Sequence, residues 1–171
     1  DVLIEALGRH PADESKITIL TQALGNLSTP ESRRFLIELR DNGSQIQQQR
    51  ARTALESLYY RSPANHIHQQ AAQTARSDNK ALAIEQFTLA IEADPTFPHA
   101  LQGRAEAYAA LLKHEEALAD YSRLLELDPH WPNAQGARGQ TLTALGRFQE
   151  ALPDLTRAIE QDPRNPNWFS A

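Results

Sequence analysis

The phrase Leu124-Leu125-Glu126-Leu127-Asp128-Pro129 has a counterpart 34 residues on either side: Ala90-Ile91-Glu92-Ala93-Asp94-Pro95 before it, Ala158-Ile159-Glu160-Gln161-Asp162-Pro163 after it. A fixed period of that length is the mark of a stacked array of helical pairs. The register holds upstream of each phrase. One small column contains Ala71, Ala105 and Gly139, a second contains Ala83, Ala117 and Ala151, and a bulky column contains Phe87, Tyr121 and Leu155. Coincidence supplies one such column, but not three at a single spacing.

Each period reads as two helices and a short turn. In the middle one, Pro98 starts the first helix, where its missing N–H costs nothing. Leu101, Ala105, Tyr108 and Leu112 follow at intervals of four, three and four, which places them on one face. After Lys113-His114, the residues Ala117, Leu118, Tyr121, Leu124 and Leu125 mark a second amphipathic helix. Asp128-Pro129 ends it, since a residue before proline is pushed out of the α region. Small residues let paired helices approach, and the bulky column fills the space between them.

These columns resemble the tetratricopeptide repeat family. The resemblance implies an all-α, right-handed solenoid of antiparallel helix pairs, with units at 64–97, 98–131 and 132–165. Pro166-Asn167-Trp168-Phe169, within 166–171, looks like the start of a capping helix. Two departures stand out. Thr74 fills the column of Tyr108 and Leu142, so the first unit is expected to pack least tightly. Pro153 falls inside a helix, where it is expected to cost a hydrogen bond or bend the axis.

Residues 1–63 follow a different, fainter register. Leu3-Ile4-Glu5 answers Leu36-Ile37-Glu38 at an offset of 33, and Ala23-Leu24-Gly25-Asn26-Leu27 answers Ala54-Leu55-Glu56-Ser57-Leu58 at 31. Thr29-Pro30-Glu31 supplies an N-cap, a first-turn proline and an early acid. Ser44 with Gln47 makes a capping box, and Asp41-Asn42-Gly43 reads as a turn. This segment resembles two short HEAT-type repeats, 1–27 and 29–61, with Arg50 and Ala54-Leu55 at places typical of that family; the alternative is a generic helical hairpin pair capping the array.

A hydrophobic fraction of 40% with mixed charge suits a folded, soluble protein, cytoplasmic or periplasmic, whose compartment the sequence leaves open. The net charge of −5 argues against nucleic acid, which needs a basic stripe. No apolar run nears the roughly 20 residues of a membrane span, so no membrane insertion is expected. The absence of Cys removes disulfides and thiolate metal sites. Met is absent even at position 1, and Asp1 runs straight into Val2-Leu3-Ile4, which reads as part of a longer protein.

Nothing points to catalysis. Glu92, Glu126 and Glu160 follow the repeat and are therefore structural or solvated, Glu115-Glu116 complements a helix dipole, and no phosphate loop or nucleophile elbow is present. His66 and His68, two apart on a helix, point in different directions and cannot share an ion; His10, His99, His114 and His130 are scattered. No metal or cofactor is expected.

What remains is a surface. The tetratricopeptide resemblance implies a concave groove lined by the first helix of each pair, here Asn65, His68, Gln69 and Ala72, then His99, Gln102 and Glu106, then Asn133, Gly136 and Gln140. The family's carboxylate clamp is not recognisable, because His68, Ala72 and Gly103 stand where its members are expected. The groove residues vary between units, while the packing columns stay nearly uniform. The expected function is non-catalytic protein binding, a scaffold or adaptor that takes a peptide or partner helix. The alternatives are a helical region accessory to a larger enzyme or exported protein, a groove packed against another segment of the same protein, and self-association through solenoid end faces involving Trp168-Phe169.

Overall fold

The computed structural model describes residue 19, residues 21–27 and residues 29–164. The expectations placed on Leu3-Ile4-Glu5, on His10 and on Pro166-Asn167-Trp168-Phe169 fall outside them. The described residues are helical, with no strand among them, and the chain divides into two compact units, Asp1–Asn65 and His66–Ala171.

In the first unit, α1 (Pro30–Asn42) packs against α2 (Gln45–Arg61). Thr29 caps α1, accepting from the Ser32 N–H at 3.1 Å, and Ser32 completes a capping box that the sequence had suggested only for the second helix. That second box is present too: the Ser44 N–H donates to Gln47 Oε1 at 2.7 Å. Only Gly43 of the expected Asp41-Asn42-Gly43 turn lies outside the helices, because α1 keeps its i→i−4 bonds through Asn42 and the Gly43 N–H still reaches Leu39. The core of the unit is Leu24, Leu36, Ala51, Ala54 and Leu58, with Phe35, Leu39 and Leu55 packed against it.

α3 (Ala64–Arg76) starts in the last two residues of the first unit, and the second unit holds the rest of it with α4 (Lys80–Ala93), α5 (Pro98–Ala110), α6 (His114–Leu127), α7 (Ala134–Ala144) and α8 (Phe148–Gln161). From α4 onward each helix packs on the next. Ala71, Ala83, Ala105 and Ala117 are fully buried, and Ala151 nearly so, as their columns require. The small-to-bulky fit is visible at Gly139, where an added Cβ would lie 2.8 Å from Leu155 Cγ.

The Asp-Pro signature has a second cause beyond proline sterics. Asp94, Asp128 and Asp162 leave the helix at φ of −147, −143 and −140°, with their N–H groups still donating to Ala90, Leu124 and Ala158. Each Oδ1 then accepts the N–H two residues on: Thr96 at 3.0 Å, His130 at 3.0 Å and Arg164 at 3.3 Å. Each aspartate thus closes an Asx turn that satisfies an N–H just past the helix end. The turn inside each pair also recurs, with Asp78, Leu112 and Gly146 in the left-handed region at φ of 66, 56 and 74°.

A repeated ion pair ties helices together. Arg104 on α5 donates from Nε and Nη2 to the Asp120 carboxylate on α6, both at 2.7 Å, and from Nη1 to Thr88 at 3.0 Å. One period later Arg138 grips Asp154 at 2.6 and 2.8 Å. In the first period those positions are Gln70 and Gln86, and the buried Gln86 Oε1 has no hydrogen-bond partner. Thr74 is half-buried and bonds back to the Gln70 carbonyl, whereas Leu142 in the same column is buried. α8 remains helical through Pro153, which leaves the Gln149 carbonyl without its i+4 donor.

Candidate binding cleft

Residues of α3, α4 and α5 together line a cleft of about 450 Å³. α3 contributes His68, Ala72, Ala75 and Arg76; α4 contributes Lys80 and Phe87; α5 contributes His99, Gln102, Gly103, Glu106, Ala107 and Ala110. Five of the residues predicted to line a groove therefore share one cavity: His68, Ala72, His99, Gln102 and Glu106. The others do not line it. Asn65 falls in the first compact unit, and Gln69 is exposed on α3. Asn133 caps α7 at φ 61°, Gly136 is buried, and Gln140 is half-buried on α7. A glycine buried in its own helix offers a partner little to touch, so at that column the chain does not present a side chain.

The floor of the cleft is aromatic. The His68 ring lies 5.7 Å from Phe87, 5.6 Å from Phe97 and 5.8 Å from His99, centroid to centroid. His99 continues the series to Phe97 at 5.4 Å and edge-on to Trp131 at 4.8 Å. Trp131 Nε1 donates to Gln102 Oε1 at 2.8 Å, and Gln102 Nε2 donates to Glu106 Oε1 at 2.8 Å, which fixes both side chains along one wall. Burial lowers the pKa of His68, so the neutral imidazole is the favoured form. Gly103 lies directly under Phe87, since a Cβ there would come within 2.4 Å of the ring. At the far end Lys80 Nζ donates to the Ala75 carbonyl beside Arg76.

Phe97, Trp131, Arg76 and Lys80 were not singled out from the sequence. The first two had a signal: they occupy one column, 34 residues apart, immediately before Pro98 and Pro132. The two cations have none: Arg76 ends α3 and Lys80 begins α4, and the following periods carry Ala110 and Ala144, then His114 and Phe148, at those places. Among the described residues, no three His, Cys, Asp or Glu side chains converge as metal ligands would, and no helix is long and apolar enough to cross a membrane.

The sequence signature of the tetratricopeptide repeat matches residues 105–168. Residues 105–168 belong to the tetratricopeptide repeat family. Solved structures agree. The first tetratricopeptide domain of Spaghetti (RPAP3), bound to the HSP90 peptide SRMEEVD, is 27% identical over 62% of this chain and 84% of its own, with a TM-score of 0.59. The second such domain of human RPAP3, in complex with the HSP70 peptide SGPTIEEVD, is 28% identical over 61% of this chain and 87% of its own, with a TM-score of 0.57. The yeast Sti1 TPR2AB domain, in a complex with HSP90, covers 98% of this chain and 70% of its own at 22% identity and a TM-score of 0.56, a likeness of fold. No curated relative matches the sequence at a significant level. The α3–α5 cleft lies between the first helices of two successive helical pairs, and the matched residues begin within α5.

Proposed function

We propose that the second unit is a non-catalytic protein-interaction module whose partner, a peptide or a helix, lies in the groove lined by the first helices of the pairs. The observation that carries this reading is the cleft itself: an aromatic-floored cavity between α3 and α5 whose lining differs from unit to unit, while the packing columns around it stay constant. Structure demands the constant columns and leaves the variable ones free to encode a partner. The likeness to domains solved with bound peptides supports the same reading. Repeat arrays present such surfaces without a preformed reaction centre.

A partner recovered with residues 1–171 as bait provides the test. Replacing Gln102, Glu106 and Gln140 together by alanine should weaken that partner's binding while leaving the circular dichroism spectrum unchanged. Undiminished binding by the triple variant, with loss on changing the outer face at Phe148 and Leu152, would replace the groove by a convex-face interaction.

A further inference from the structure

We infer that the first unit holds an anion site of its own, a cavity that takes the phosphate group of a small ligand. The cavity, about 260 Å³, lies between the helical turn at residues 21–24 and one face of α2. Arg50, Thr53, Ala54, Ser57 and Arg61 supply that face, at spacings that return to the same side of a helix. None of the described residues lining the cavity carries a carboxylate. Glu56, the one acid of α2, stands a turn from Arg52 and lies outside the lining. Two guanidinium groups thus share a cavity that supplies no counter-charge, in a chain whose net charge is −5.

The donors are arranged for one ion. Arg50 and Arg61 stand about 16.5 Å apart along α2, at 1.5 Å per residue. A charge-assisted hydrogen bond of about 2.8 Å at each end, with a tetrahedral ion between, takes up roughly half of that and leaves the rest to side chains reaching inward. Arg61 is already positioned, since Nη1 donates to Asn26 Oδ1. That partner is a neutral amide, so the charge of Arg61 stays uncompensated and the Asn26 NH2 group is left as a donor. The Thr53 hydroxyl donates to the Gln49 carbonyl at 3.2 Å, which leaves the Ser57 hydroxyl for the ion. Carbonyls at the end of the 21–24 turn are taken: those of Thr21, Ala23 and Leu24 accept from Gly25, Asn26 and Leu27 at 3.0, 3.0 and 3.1 Å. The floor is bare backbone, because a Cβ on Gly25 would lie 3.0 Å from that of Ala54. A phosphate matches these donors better than a carboxylate does. It brings a charge of about −1.5 to −2 and three acceptor oxygens, enough for two guanidinium forks and a hydroxyl. The cavity is larger than the ion and has room for a small group esterified to it.

The test titrates the isotope-labelled 1–171 chain with inorganic phosphate, glycerol 3-phosphate and acetate at pH 7.5 and constant ionic strength, reading amide shifts by nuclear magnetic resonance. Both phosphates should give saturable shifts at Gly25, Asn26 and Ser57, with dissociation constants at least tenfold below that of acetate. Tighter binding of glycerol 3-phosphate assigns a phosphate monoester as the ligand, and equal binding assigns the free ion. Arg50→Gln changes an exposed side chain and should weaken both phosphates at least fivefold, while Arg50→Lys recovers part of the loss. Arg61→Gln should weaken them as much, in a chain whose circular dichroism matches the parent's. Acetate that binds as tightly as phosphate, phosphate shifts confined to other residues, or an Arg50→Gln chain that binds as the parent does would overturn the site. The groove reading stands or falls separately, since none of these residues lines the α3–α5 cleft.

Discussion

Leu112 shows how a repeat tolerates a poor residue where backbone conformation is imposed by its neighbours. Its φ of 56° is shared with Asp78 and Gly146, members of the same column that adopt the left-handed region more readily, and its side chain is 77% exposed. Nothing is gained from the leucine, so Leu112→Asn should raise stability by about 0.5–1 kcal/mol, part of the left-handed penalty, measured by urea denaturation. Asp120 lies at the opposite extreme, 5% exposed and bonded twice to Arg104. Asp120→Ala should cost about 1.5–3 kcal/mol, the worth of hydrogen bonds to a charged group. His68 introduces a dependence on pH. Its folded-state pKa is lowered from 6.5 by burial, so the unfolded chain takes up the proton first. Its contribution is present above pH 6.5 and is lost as pH falls through the lowered folded value. Thermal melts between pH 7.5 and 5 should therefore show a decline that His68→Gln reduces.

At the scale of helices, most of the second unit was legible because one constraint was written three times. Ala83, Ala117 and Ala151 are small because two helix axes come together there, and each period repeats the demand. Ala117→Leu should overpack that contact and cost about 1–3 kcal/mol, with a melting temperature visibly below the parent's. The ion pair was equally periodic at 104/138 and 120/154, yet charged residues on a helix look like solvent-facing ones until the structure shows them meeting. The first period supplies the control. Introducing Gln70→Arg and Gln86→Asp together should stabilise the α3–α4 pair, and the double-mutant coupling energy should be favourable by about 0.5–3 kcal/mol. A coupling near zero would mean the pair depends on the α4 contact through Thr88 that Arg104 makes. The cleft was half legible. His68, Ala72, His99, Gln102 and Glu106 came from the resemblance, but the aromatic floor depends on rings that converge from α3, α4, α5 and the turn before α7, and no single helix periodicity reports such a meeting.

Across the second unit, equivalent positions differ in burial according to what lies beyond them. α6 makes extensive contacts with both α5 and α7, whereas the extensive contacts of α8 among the described helices are with α7. Tyr121 and Leu125 on α6 are 4% and 8% exposed; their counterparts Leu155 and Ile159 are only half-buried, and Leu152 is 63% exposed beside Phe148 at 65%. The sequence columns are uniform here and predict no such gradient, because periodicity records which face must be apolar and not whether a neighbour has covered it. In an array whose stability is a sum of repeat and nearest-neighbour terms, the same substitution must then cost different amounts in different periods. Leu125→Ala removes a side chain enclosed on both sides and should destabilise by about 2–4 kcal/mol. Ile159→Ala, at the equivalent place on α8 and only half-buried, should cost less, about 1–2 kcal/mol. Equal losses for the two, read from urea midpoints at constant m-value, would show that the α8 face is enclosed in solution as thoroughly as that of α6.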